Sequence, residues 1–172
     1  MPDTPIADTA VAVRIAPARN LSRRLIRGDP TSLGAAFGLA LPTRPCTSAE
    51  GERTALWLGP DEWLVLASED AAWPDWSGET GAVFNIGHRQ VGFIVEGALA
   101  ADTLAGASPL DLSPAHFPAG ACTRTVFGKA EIVLWRPSLP RFHLETVRSF
   151  AAYVGELLQV CASDAMHLQR AD

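Results

Sequence analysis

Apolar and polar residues alternate in short bursts along most of this chain, and the repeat changes from two to about 3.6 at a few defined places. Residues 11–16 (VAVRIA) and 22–27 (SRRLIR) read as strands, the second with a basic outward face. Asp29 or Thr31 then caps a helix reaching about Leu39, because its side chain accepts a free N–H of the first turn. Leu33, Ala36, Phe37 and Ala40 give that helix one apolar face, and Pro42 and Pro45 open a loop to about Glu52. Residues 53–58 and 62–67 form two strands joined through Gly59-Pro60-Asp61-Glu62, where Pro60 presets φ for a hairpin or arch. Trp57 and Trp63 flank that turn as large packing residues.

A turn-rich connector, residues 70–80, holds Trp73 and Trp76. Strands follow at 82–87 and 90–96 around His88-Arg89, then a short helix over 98–106. The proline-punctuated stretch 107–120 reads as irregular, and strands return at 121–127, 130–135 and 141–147. Phe150, Val154, Leu157 and Leu158 place a last helix over about 149–158. Strands and helices mix without strict alternation, which points to the α+β class, with helices on one face of antiparallel sheets. The expected organisation is an N-terminal arm (1–18, partly flexible, its first ten residues frayed), a single domain over 19–160 and a C-terminal tail (161–172). The domain is expected to have two small halves, about 19–80 and 81–160.

Composition changes this picture modestly. With 172 residues the chain is one domain long, and 48% of them are hydrophobic against 19% charged. The net charge of −5 argues against nucleic-acid binding, which needs a net basic face. Arg14, Arg19, Arg23, Arg24 and Arg27 nevertheless crowd one segment, either as a solvated strand edge or as a docking patch for an acidic partner. Cys46, Cys122 and Cys161 are far apart and lack a C-x-x-C pair, so neither a disulfide framework nor a zinc site is expected. No apolar run approaches the ~20 residues of a membrane span, and no secretory signal is legible, so a cytoplasmic location is expected.

Catalytic signatures are missing: no phosphate-cradling glycine loop, no G-x-S-x-G elbow, no H-E-x-x-H and no dinucleotide fingerprint. His88 with Arg89 offers a base or an anion clamp, or a strand-edge pair at an interface. His116 sits in a loop, His143 alternates with Phe142 and Leu144 as an outward strand position, and His167 falls in the polar tail. Adjacent Asp61 and Glu62 point to opposite faces of a strand and cannot share one substrate. Lys129 and Glu131 share a face and are expected to pair. Catalytic, cofactor-binding and metal residues are therefore expected to be absent. The expected subunit-interface residues are Arg23, Arg24, Trp73, Trp76, His88 and Arg89, with the two loop tryptophans covered by the domain's own core or by another subunit.

Read in order, several blocks resemble the gamma subunits of heterotetrameric sarcosine oxidase. They are RRLIRGDPTSLGAAFGLALP (23–42), ALWLGPDEWLVLA (55–67), GHRQVGFIVEG (87–97), SPLDLSPAHFPAGACTRTVFGKAEIVLWR (108–136) and RFHLETVRSFAAYVGELL (141–158). Two departures are visible: Asn85-Ile86-Gly87 stands where members commonly carry Asp-x-Ser, and Ser108 where they often carry Cys. The resemblance implies ferredoxin-like antiparallel sheets similar to the folate-binding domain of the glycine-cleavage aminomethyltransferases. It also implies a non-catalytic assembly role in a complex that converts sarcosine, O2 and water to glycine, formaldehyde or methylenetetrahydrofolate, and H2O2. The implied partners are alpha, beta and delta subunits. Flavins, NAD and folate belong to the large subunits and zinc to the delta subunit, none to this chain. The alternative is a stand-alone folate-binding or aminomethyltransferase-like one-carbon protein, against which Asn85 counts.

Overall fold

Two five-stranded antiparallel sheets meet face to face in the computed structural model, which describes residues 12–76, 78 and 81–170. The first sheet runs β3 (Ser48–Ala49), β4 (Arg53–Gly59), β5 (Glu62–Ser68), β2 (Leu21–Arg27) and β6 (Ala82–Asn85) in space. The second runs β1 (Arg14–Ala18), β7 (Gln90–Glu96), β10 (Arg141–Val147), β9 (Ala130–Ser138) and β8 (Cys122–Phe127). The strand pattern explains the stacking. In β5, Trp63 and Val65 join a core under helix α1 (Pro30–Phe37), while Leu64 and Leu66 face the other sheet. In β9, Ile132 and Leu134 pack beneath helices α2 (Ala100–Ala105) and α3 (Ala151–Gln169), while Val133 and Trp135 face back. Each sheet thus has helices on one face and its neighbour on the other, as a period of two allows.

The expected α+β architecture holds, and so do most elements. Asp29 caps α1 by accepting from the Ser32 N–H at 2.7 Å, Pro30 opens the helix, and Gly38 at φ 58° closes it. The 53–68 segment is a hairpin with a bulge between Trp57 and Gly59. Stretch 107–120 contains no regular element. It is held by the buried Arg136, which donates to the carbonyls of Leu112 and Phe117 at 2.9 and 2.6 Å and lies 4.5 Å over the Phe142 ring.

Four expectations need correction. Residues 14–18 are not a loose arm: β1 pairs antiparallel with β7, from Arg14 opposite Glu96 to Ala18 opposite Gly92. Residues 1–11, expected to fray, lie outside the described residues. The strands also divide differently from a cut near residue 80, since β1 lies in the second sheet and β6 in the first, paired with β2. Helix α3 continues past Leu158 to Gln169, so residues 161–169 are not a tail; Ala171 and Asp172 lie outside the described residues. Cys161, Ala162 and Ala165 are buried there, and these small side chains give little apolar periodicity while allowing close approach. A Cβ at Gly106, just past α2, would sit 3.1 Å from the Cys161 Sγ. Finally, Lys129 sits in the β8–β9 turn and makes no ion pair with Glu131.

A chain ending at Val160 forfeits the burial of Cys161, Ala162 and Ala165. At about 0.8 kcal/mol per buried methylene-sized group, it is expected to unfold with about 2 kcal/mol less stability in urea. An unchanged midpoint and slope would show that the last turns of α3 contribute nothing.

Candidate functional site

The face of β10 that alternates with Phe142 and Leu144 presents His143 and Glu145, and the first sheet covers it. Arg23 of β2 reaches across the gap, and its Nε donates to Glu145 Oε2 at 2.7 Å. Its other nitrogens donate to the carbonyls of Leu21 and Ala18 at 3.0 and 3.4 Å. On the opposite side His143 Nε2 lies 2.7 Å from Glu145 Oε1, and since a carboxylate only accepts, the ring nitrogen is the donor. The three groups are almost fully buried, with the Glu145 side chain at 0% exposure. His143 packs beside Trp135 at 5.8 Å between ring centroids, and Trp135 Nε1 donates to Ser48 Oγ at 3.1 Å.

Burial pushes the Glu145 carboxyl up, but the hydrogen bonds and charges of His143 and Arg23 outweigh it and hold the group below its ordinary value of 4.5. Gly92, opposite both Ala18 and Glu145 in the sheet, leaves room for the ion pair. A Cβ there would stand 2.5 Å from Glu145 Oε1, 2.9 Å from Ala18 Cβ and 3.0 Å from Arg23 Nη2.

The placement of Arg23 and His143 departs from the expectations. Arg23 is turned into the molecule, so it is withdrawn from the interface set. His143 is not an outward strand position, because the face it shares with Glu145 is inside the sheet stack. The spacing His-x-Glu on one strand was the available signal, but charged residues alternating with apolar ones also describe a solvated face.

Trp73 and Trp76 are half-buried against the chain's own Phe37, at 6.2 and 6.3 Å between centroids. Trp73 also donates to Ser22 Oγ at 3.1 Å, and the guanidiniums of Arg24 and Arg53 lie over its ring at 4.9 and 5.3 Å. Both rings therefore serve their own core first and do not stand free. His88 and Arg89 are exposed on the turn between β6 and β7.

The remaining reactive groups do not converge. Asp61 and Glu62 are engaged by Arg27, and Glu62 by Arg124 as well. His116 pairs with Asp111 at 2.8 Å on an exposed loop. Burial pushes the Cys122 thiol up to about 12 and raises that of Cys161, so neither is poised as a nucleophile. Among the described residues no group of three His, Cys, Asp or Glu is placed to hold a metal ion, and no helix is long and apolar enough to cross a membrane.

Two outcomes test this cluster. Glu145→Gln leaves Arg23 buried without a counter-charge and is expected to cost about 3–5 kcal/mol by urea unfolding. The native carboxyl binds its proton less readily than the unfolded one, so its stabilisation is present above about pH 4.5 and is lost as pH falls through the depressed native value. That part of the acid sensitivity should vanish in the variant. Gly92→Ala, which crowds both the carboxylate and Ala18, is expected to lose about 1–3 kcal/mol. Wild-type stability for it would mean that the ion pair is loosely seated.

The pattern of the sarcosine oxidase, gamma subunit family matches residues 28–164. The sarcosine oxidase subunit gamma of Corynebacterium sp. (strain U-96) is 31% identical over 144 residues, covering 75% of this chain and 68% of that protein. A chain of the heterotetrameric sarcosine oxidase from Corynebacterium sp. U-96 superposes with a TM-score of 0.84 at 26% identity, over 89% of this chain and 85% of that one. The aminomethyltransferase T of the Bartonella henselae glycine cleavage system, 15% identical, shares the fold, with a TM-score of 0.68 over 87% of this chain and 46% of that one. From its sequence and its fold together, the chain belongs to the sarcosine oxidase gamma subunit family.

Proposed function

We propose that this chain is the non-catalytic assembly subunit of a heterotetrameric sarcosine oxidase, partnered by alpha, beta and delta subunits in the cytoplasm. The observation that carries this reading is the superposition along 89% of the chain on a chain of such a heterotetramer. The internal chemistry agrees with it. The buried cluster of Arg23, His143 and Glu145 spends its carboxylate on Arg23 and His143, which leaves it none to offer a substrate. Flavin, NAD, folate and zinc chemistry is assigned to the partner subunits. His88, Arg89 and Arg24, with the remaining exposed edges of Trp73 and Trp76, are proposed to contribute to the subunit contact.

Coexpression with the flavin-bearing subunits should yield a complex that retains this chain through gel filtration. The purified chain alone should show neither flavin absorbance nor stoichiometric zinc. In the assembled oxidase, His88→Ala and Arg89→Ala should leave kcat within about tenfold of the parent. A hundredfold loss with the tetramer intact, about 2.7 kcal/mol of transition-state stabilisation, would place these residues in catalysis and overturn the assembly reading.

A further inference from the structure

Among the described residues the chain crosses between its two sheets twice, and both crossings lie beside one cleft. The first is Ala18–Leu21, between β1 and β2, where Asn20 takes a left-handed φ of 58°. The second is 86–90, between β6 and β7. The cleft has a volume of about 410 Å³, and its lining includes Arg19, Arg23, Glu69, Gly87, Gly92 and Arg148.

Its walls are fixed before anything binds. Ile86 N–H donates to the Arg23 carbonyl at 3.1 Å, and Arg89 and Gln90 N–H donate to the Ile86 carbonyl at 2.9 and 3.2 Å. Arg148 ties the same turn to the end of β10: its N–H donates to the Arg89 carbonyl at 2.7 Å and its Nε to the His88 carbonyl at 2.8 Å. These bonds spend backbone acceptors and the Nε of Arg148 but neutralise no charge.

Exposed arginines elsewhere on the chain are of two kinds: among the described residues Arg44 and Arg170 have no carboxylate within 4.0 Å, whereas the others are paired. Arg14 and Arg141 pair with Glu96, Arg27 with Asp61 and Glu62, and Arg124 with Glu62. Among the described residues, Arg19, Arg89 and Arg148 have no carboxylate within 4.0 Å, although all three are exposed. Arg23 at the cleft wall is neutralised by Glu145, and among the described residues lining the cleft Glu69 is the one acid set against Arg19 and Arg148, with Arg89 and His88 on the adjoining turn. The two unmatched guanidiniums that line the cleft, Arg19 and Arg148, form with Arg89 on the adjoining turn a local positive surface complementary to an acidic one, in a chain of net charge −5.

We infer that the cleft bounded by Arg19 and Arg148, with Arg89 beside it, docks an acidic segment of a partner subunit. This rests on the assembly role proposed above and names the surface that performs it. Guanidinium forks suit carboxylates in bidentate geometry, and a cleft already tied by backbone hydrogen bonds loses little freedom on binding.

The test uses the coexpressed complex, with a tag on a flavin-bearing subunit, and measures how much of this chain is retained as salt is raised. Arg19→Glu with Arg148→Glu is expected to weaken retention at least roughly thirtyfold near 0.15 M salt, and Arg19→Gln with Arg148→Gln to weaken it less. Arg170→Glu, on the distant end of α3, should leave retention unchanged. Equal thermal midpoints of the isolated variants exclude misfolding, and the glutamine pair serves if the glutamate pair does not fold.

Full retention of both double variants would overturn the cleft while leaving the assembly role standing. Failure of the unmutated chain to be retained would instead overturn the assembly role itself. Chemical-shift changes with inorganic phosphate that the double variant abolishes, with retention untouched, would make this a free-anion site and also overturn the docking proposal.

Discussion

The contact between Arg23 and Glu145 is what the two-sheet arrangement depends on. It joins β2 of one sheet to β10 of the other across 122 residues of sequence, inside a region from which water is excluded. Buried charges are costly to desolvate, and the cost is offset here because each polar atom of the carboxylate has a donor and the guanidinium also serves two backbone carbonyls. An arrangement so fully satisfied tolerates little displacement. It therefore sets the register of the sheets against each other, which the apolar contacts among Leu56, Leu64, Leu66, Cys122 and Trp135 alone would specify less sharply.

Several features follow from that contact. Position 92 is glycine because a side chain there would occupy the space of the ion pair. The β1–β2 connector passes close by, so Ala18 and Leu21 supply carbonyls to the guanidinium while Asn20 accepts the left-handed turn. The second crossing is then bonded to the backbone of Arg23 itself through Ile86. One inward arginine thus anchors both crossings, and the outward arginines Arg19 and Arg148 are held at a common cleft, with Arg89 on the adjoining turn. Strength inside and charge outside come from the same short segment of chain.

Much of this architecture was legible from residue pattern. The helix capped at Asp29 or Thr31, the turn at Gly59-Pro60 and the strands flanking His88-Arg89 all rest on local backbone preference, and local preference is written in neighbouring residues. The ordered blocks from 23 to 158 pointed to the family, which the match over residues 28–164 supports. Less legible was the last part of α3, because Cys161, Ala162 and Ala165 bury small side chains whose apolar signal is weak. The tryptophans at 73 and 76 left two covers open, the domain's own core or another subunit; within the chain Phe37 lies against both rings and Ser22 accepts from Trp73.

What the sequence by itself determined, then, is the set of elements, the α+β class and the family, all carried by short-range periodicity and by the order of motifs. What only the tertiary structure decided is which face of each strand is covered. Alternation in β10 separates Phe142 and Leu144 from His143 and Glu145, but it cannot say whether the second set meets water or another sheet. That depends on β2, more than a hundred residues away, bringing Arg23 to the same place. A periodic pattern records which residues share a face, whereas burial of a charge depends on a partner that the pattern does not contain.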